Sequence, residues 1–364
     1  MNEGDKKIKL KNGKINIIDI TKKETISKVR NKKLKRNNRR IFYVKILIII
    51  ILSIIFHQIF SFQKLYNYCL KCEKKTNSKC LKCTNDILFH GLNIIPTEKT
   101  LDEIIQHKKS ISRFSDGEFY IIIGRGINFQ EKDSKLSRRL FQIIKNNNKN
   151  KNLLVRIDFT YKKKKLDLYR KSSSDHWIRF FRSQRFKLLK LLDKSKIYYS
   201  SDITRFYHRF KDKSNVPKHI KKLKKIWEGR DILIVEGEKS RNGIGNDLFN
   251  NTKSIKRIIC PAKHAFRVYD KILNAILTVD KKYLVLIALG PTASVLAYDL
   301  SNLGYQAIDI GHTDIQYELF LRNATDMIQI PYKFTNEYNN GRNESVGEVD
   351  DINYYKQILY KILN

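Results

Sequence analysis

Acidic side chains are the scarce component of this 364-residue chain: 36 Asp and Glu face 73 Lys and Arg, a formal charge of +37. The basic excess is spread along the chain among abundant Asn and Ile, and is not gathered into one stripe. Nucleic acid is therefore not an expected partner, whereas anionic lipid or a negatively charged substrate is. Cysteine is also rare, and four of its five copies fall within residues 69–83, so a disulfide scaffold running through the whole chain is excluded. The stretch "CLKCEKKTNSKCLKC" pairs two C-x-x-C elements, Cys69/Cys72 and Cys80/Cys83, across a seven-residue spacer that is short for a zinc ribbon. Disulfides in a membrane-proximal stem are expected in preference to zinc, with the connectivity open.

Polar residues nearly vanish in "IFYVKILIIIILSIIFHQIFSF", residues 41–62, which approach the ~20 apolar residues that a bilayer-spanning helix needs. A core helix of a soluble domain would keep a polar face, and none is present. The preceding "NKKLKRNNRR" has no acid, so the positive-inside rule keeps it cytosolic and sends the rest of the chain across the membrane. No small-x-small cleavage site follows, and about forty residues precede the run. The expectation is a signal anchor and a single-pass type II membrane protein. It has a basic, mostly disordered cytosolic tail (1–40), the anchor (41–62), a cysteine-containing stem (63–95), and a lumenal domain in the Golgi or ER membrane system if the source is eukaryotic. Three N-x-S/T triplets, at Asn250, Asn323 and Asn343, accord with that side of the membrane.

From residue 96 the pattern is α/β. "FYIIIG" reads as a strand closed by glycine, followed by a helix over "SKLSRRLFQIIKN" with Leu136, Leu140 and Ile143 at helical spacing. "NLLVRIDF", "KIYYSS", "DILIVEGE", "KRIICP", "YLVLIALG" and "QAIDIG" read as further strands. Helices are expected over 176–192 and 264–277, and from Pro291 to Gly304. Alternating strands and helices predict a Rossmann-like, doubly wound, mostly parallel sheet, which gathers ligands at the carboxyl ends of its strands.

Four clusters fall there. In "ISRFSDGEFY", Asp116 and Glu118 flank a glycine; if Gly117 takes positive φ, the two carboxylates can converge on a hard dication such as Mg²⁺ or Mn²⁺. The alternatives are a turn of solvated acids, or an acid paired with Arg113. In "VEGEKSRNGIGNDLF", Glu236 and Glu238 end a strand, and Lys239, Arg241 and the amides around Gly243 and Gly245 can hold phosphate oxygens. "LGPTAS" offers Thr292 and free amides to a diphosphate or ribose. "DIGHTDIQYE" supplies Asp309, His312, Asp314 and Glu318, candidates for general-base work. Ordinary packing and connecting turns remain the alternative for each cluster taken singly.

Together, "ISRFSDGEFYIIIGRGINFQ", "LSRRL", "LIVEGEKSRNGIGNDLF", "IKRIICP" and "LIALGPTASVLAYDLSNLGYQAIDIGHTDIQYE" resemble the GT-D-type glycosyltransferases over roughly residues 96–325. Ser115 stands where that family has glycine, and a small residue keeps the turn. The resemblance implies a Rossmann-like domain over 96–330 with a C-terminal extension (331–364). It implies a D-x-E pair, Asp116 and Glu118, that engages Mn²⁺ or Mg²⁺ with the diphosphate of a UDP-sugar. It also implies transfer of a glucose- or galactose-type hexose, with inversion, to a hydroxyl of a glycan or glycoprotein. Arg113, Lys239, Arg241, Gly243, Gly245 and Thr292 are then expected to bind the nucleotide-sugar. The base is expected among Glu236, Glu238, His312 and Asp314, with Glu238 and His312 first. A membrane-anchored, non-catalytic glycan- or nucleotide-binding protein is the alternative.

Overall fold

The computed structural model describes residues 18–73, 85, 88–146, 149–161, 163–335, 337–338 and 346–363. The chain divides into two units, Met1–Tyr68 and Cys69–Asn364. In the first, one helix begins at Ile18 and runs on to Glu73, 56 residues in all, so it takes in much of the tail that was expected to lack regular structure. Its stretch Arg40–Phe60 has a mean hydropathy of 2.3 and no buried side chains, and is long and apolar enough to cross a membrane. The side chains of Cys69, Cys72, Cys80 and Cys83, and the triplet at Asn343, lie outside the described residues.

The described residues of the second unit form nine strands: β1 (Asn93–Ile95), β2 (Ser110–Phe114), β3 (Leu153–Ile157), β4 (Ile197–Ser200), β5 (Asp231–Gly237), β6 (Ser254–Cys260), β7 (Leu284–Ala288), β8 (Ala307–Asp309) and β9 (Ile358–Lys361). They form one sheet in the order β1-β4-β3-β2-β8-β7-β5-β6-β9, with every neighbouring pair parallel. Parallel strands covered on both faces need unbroken apolar runs. Accordingly Ile232, Leu233, Ile234 and Val235 of β5 and Leu284, Val285, Leu286 and Ile287 of β7 are all 0% exposed. Each such side chain contributes about 1.5–3 kcal/mol over its exposed state. The helix Pro291–Asn302 lies against β2 and β8, with Pro291 in its first turn. Ser112 Oγ donates to the Ser294 carbonyl and Ser294 Oγ to the Arg113 carbonyl, both at 2.6 Å, which ties that helix to β2.

Several elements differ from expectation. "FYIIIG" is not a strand: Asp116–Ile122 is a helix that follows directly on β2, and Gly117 within it does not adopt positive φ. The Ser115 N–H donates to Glu118 Oε2 at 2.7 Å, in the manner of a capping box, and a helix results where the apolar run alone suggested a strand. The helix Thr97–His107 and strands β1 and β2 were not anticipated. The sheet extends past residue 330, because β9 pairs with β6 at one edge, in register from Arg257 opposite Ile358. From β2 the chain steps to β3 and β4, while from β8 it runs to β9 at the opposite edge. Neighbouring strands that lead away in opposite directions leave a crevice at their carboxyl ends, and the site lies there.

Candidate functional site

Asp116 and Glu118 both follow the carboxyl end of β2, yet the fold uses them differently. Glu118 is 2% exposed; one oxygen accepts the Ser115 N–H and the other lies 3.9 Å from Arg113 Nη2. Burial raises its pKa, with Arg113 acting in the opposite sense. The Asp116 carboxylate is 31% exposed, and its Oδ2 is 2.8 Å from His176 Nε2. Desolvation alone would raise its pKa; the hydrogen bond and charge of His176, followed by the Arg205 charge, bring it down to about 2. Ser115 Oγ donates to Asp158 Oδ2 at 2.6 Å and stands 3.1 Å from Asp116 Oδ1, joining the turn after β2 to the end of β3.

A cavity of about 760 Å³ opens on Asp116. Arg113, Arg205, Arg209 and His312 line it, together with Tyr120, Ser172, Ser173 and His176. Arg209 is fixed by Asp158 Oδ1 at 2.5 Å and Asp202 Oδ1 at 3.3 Å. Arg205 donates to His312 Nδ1 at 3.0 Å and pairs with Glu337 at 2.5 Å. A second cavity, about 110 Å³, adjoins the ends of β5, β6 and β7, and Arg113, Phe129 and His312 border both. Gly290, at φ 54, lets the Phe129 ring lie directly on the backbone: a Cβ there would stand 2.1 Å from Phe129 Cε2.

Most of the other predicted residues are structural. Glu236 is 0% exposed; Arg257 Nη1 reaches its Oε1 at 2.5 Å, and the Asn242 backbone and side-chain N–H groups reach its Oε2 at 2.7 Å each. A carboxylate so enclosed cannot meet an acceptor. Asp314, 1% exposed, accepts from the Gly243 N–H at 2.9 Å, Asn246 Nδ2 at 2.8 Å and the buried Lys333 Nζ at 2.6 Å. Lys333 also bonds Glu318 at 2.8 Å, so this group locks the C-terminal segment to the helix Thr313–Leu321. The Gly243 amide is thereby consumed, and Gly245 faces open space. Arg241 donates to the carbonyls of Tyr332 and Gly347, at 2.9 and 2.5 Å, instead of to the cavity. Thr292 is 0% exposed in the core, with its hydroxyl unpartnered. Glu238 and Lys239 are half-buried and line neither cavity.

His312 does line the cavity, but not as a base. Its pKa falls to about 3, through burial first and then the Arg205 charge. With Arg205 donating to Nδ1, the neutral ring carries its hydrogen on Nε2 and is a donor there. The residues that sequence reasoning missed are Asp158, His176, Arg205, Arg209 and Glu337. Asp158 had a signal, an acid closing the buried strand "LLVRI"; the others are single charges in a charge-rich chain.

The Glycosyltransferase GT-D fold model matches residues 111–338, which contain this whole site. The chain belongs to the GT-D glycosyltransferase-fold family. It is similar to Glycosyltransferase GlyD of Streptococcus pneumoniae serotype 4, 37% identical over 77% of this chain and 34% of that protein. It is likewise similar to the probable glycosyl transferase Gly of Streptococcus gordonii, 36% identical over 74% of this chain and 38% of the relative. The chain thus spans about a third of the length of these two relatives. Among solved structures, the domain of unknown function 1792, described as having a distinct glycosyltransferase fold, matches with a TM-score of 0.71 and 37% identity, over 75% of this chain and 96% of that one. A glycosyltransferase of the same domain type from Streptococcus sanguinis matches with a TM-score of 0.70 and 33% identity, over 74% of this chain and 99% of that one.

The resemblance to GT-D enzymes implied a dication at Asp116 and Glu118. Among the described residues, no group of three His, Cys, Asp or Glu side chains is arranged to hold a metal ion. Mg²⁺ and Mn²⁺ need no such cage where one or two carboxylates, water and substrate phosphates complete the shell. Asp116, ionised and open to the cavity, fits that role, whereas Glu118 as placed caps the helix and buttresses the turn.

Proposed function

We propose that this chain is a metal-dependent glycosyltransferase that moves a hexose of the glucose or galactose type from a UDP-sugar to a hydroxyl of a glycan or glycoprotein, with inversion. The observation that carries this reading is that Asp116 lines one cavity with Arg113, Arg205 and Arg209, beyond the carboxyl ends of β2, β3 and β4, within a GT-D fold. Guanidinium groups match the oxygens of a diphosphate, and a carboxylate among them gives a dication its place beside that diphosphate. When bound, the cation neutralises charge on the departing nucleotide. The chain's own groups do the rest: Asp158 and Asp202 hold Arg209 in position, His176 orients Asp116, and His312 presents a neutral donor.

The same proposal includes a type II, single-pass membrane anchor with the α/β unit on the lumenal side, in the ER or Golgi membrane if the source is eukaryotic. The apolar stretch Arg40–Phe60 and its acid-free flank support it. The test of the activity is incubation of the full chain in detergent micelles with Mn²⁺ and a panel of UDP-hexoses, scoring free UDP with and without saccharide acceptors. Acceptor-dependent UDP release, abolished by chelation, is expected. UDP binding without consumption of any donor would instead make the protein a nucleotide-binding module.

A further inference from the structure

A transferase that inverts in one step needs a base to take the proton of the acceptor hydroxyl. Glu236 and Asp314 are enclosed by donors, Glu238 is outside the cavity, and His312 carries its hydrogen on the atom that would have to accept one. The described carboxylates that line the large cavity are Asp116, Glu118 and Glu337. Asp116 faces His176 and the proposed cation, and Glu118 caps its helix. We propose that Glu337 is the general base of the transfer, held in place by Arg205.

The geometry favours this residue for three reasons. Its side chain lines the cavity and is 34% exposed, open enough to meet an acceptor. Arg205 grips it with two bonds, Nη2 to Oε1 at 2.5 Å and Nη1 to Oε2 at 2.8 Å, which fixes the direction in which its remaining lone pairs point. His312 Nε2 stands 3.7 Å from Oε1, close enough to move into hydrogen-bond contact with a modest shift of either side chain. Arg205 also belongs to the wall that a diphosphate would contact. A bound donor therefore competes with Glu337 for one guanidinium, and loosening of that ion pair makes the carboxylate a stronger base once the donor is in place. In the step itself the acceptor oxygen forms its bond to the anomeric carbon as its proton passes to Glu337. The bond from the anomeric carbon to the β-phosphate oxygen breaks, and the electron pair leaves with UDP.

This inference rests on the glycosyltransferase reading, and the experiment separates the two. The full chain in detergent micelles is titrated calorimetrically with UDP and Mn²⁺, and turnover is measured with UDP-glucose and UDP-galactose over a panel of neutral saccharide acceptors. For Glu337→Gln, kcat is expected to fall by about 10²–10⁴, the range for loss of general-base help, while UDP affinity holds or rises, because Arg205 loses the competing carboxylate, and the donor KM does not increase. Glu337→Asp, which keeps the charge on a shorter arm, should recover part of the loss and serves if the amide variant does not fold. Turnover of Glu337→Gln within tenfold of wild type, or tighter UDP binding with unchanged kcat, would make Glu337 a mere counter-ion of Arg205 and overturn the proposal. A wild-type chain that binds UDP but consumes no donor overturns the activity and the base together.

Discussion

Glu236→Ala separates the structural from the catalytic reading of the acid that the sequence places at the end of a central strand. Arg257 is 1% exposed, and its Nη1 lies 2.5 Å from Glu236; its Nε bonds Gln357 Oε1 at 2.7 Å, and the guanidinium lies 5.0 Å from the Tyr354 ring centroid. Removing the carboxylate leaves a buried guanidinium short of its counter-charge and two Asn242 N–H groups without an acceptor. Breaking a buried pair from one side costs about 3–5 kcal/mol. At about 2–3 °C per kcal/mol for a unit somewhat above 250 residues, the midpoint should drop by roughly 6–15 °C. The unfastened elements are β5, β6 and the helix Ile352–Gln357, so the loss should also loosen β9. Differential scanning calorimetry of the full chain in micelles measures the drop, and UDP release at 20 °C measures what the folded fraction still does. Turnover per folded molecule should stay within about fivefold, since Glu236 contacts no cavity surface. An unchanged midpoint with turnover lost a hundredfold would refute the reasoning and restore Glu236 as a catalytic group.

Gly290→Ala should cost about 1–3 kcal/mol through overpacking and positive-φ strain. Because the added carbon would displace Phe129 from the wall shared by the two cavities, donor KM should rise as well, so calorimetry and steady-state kinetics on one sample check both. His312 gives a pH signature: its pKa is about 3 folded against 6.5 unperturbed, so between those values the unfolded chain binds a proton that the folded chain refuses. Stability is therefore full above about pH 6.5 and is lost as pH falls. Midpoints recorded from pH 7.5 to 4.5 should decline less steeply for His312→Gln than for wild type; parallel curves would show that the ring is not held neutral.

The sheet was legible because its strands are buried on both faces and spell themselves as apolar runs, β5 and β7 above all. The helix at Asp116 was misread for the same reason in reverse: "FYIII" is an apolar run of five, and only the S-x-x-E of Ser115 and Glu118 announces that a helix begins there. β9 is short and mostly exposed, with a pattern too weak to register. At the site, the placement of His312 followed from the end of "QAIDIG"; Asp116 follows β2, whose "SISRF" was not read as a strand. The roles of Glu236, Asp314 and Arg241 did not, because whether a charge faces a cavity or a buried partner depends on residues far away in the chain: Arg257, Lys333 and the carbonyls of Tyr332 and Gly347. Arg205 and Glu337 are 132 positions apart and meet only through the topology.

Calorimetric titration of UDP in the presence of Mn²⁺, on wild type and on Asp116→Ala side by side, bears on the whole reading in a single experiment. The expected result is saturable, Mn²⁺-dependent binding by wild type and affinity at least tenfold weaker in the variant, with its thermal midpoint within a few degrees, since Asp116 is partly exposed and its removal leaves no buried charge unpaired. Equal UDP affinity in the two proteins, with or without the metal, would mean that the nucleotide does not bind at this crevice.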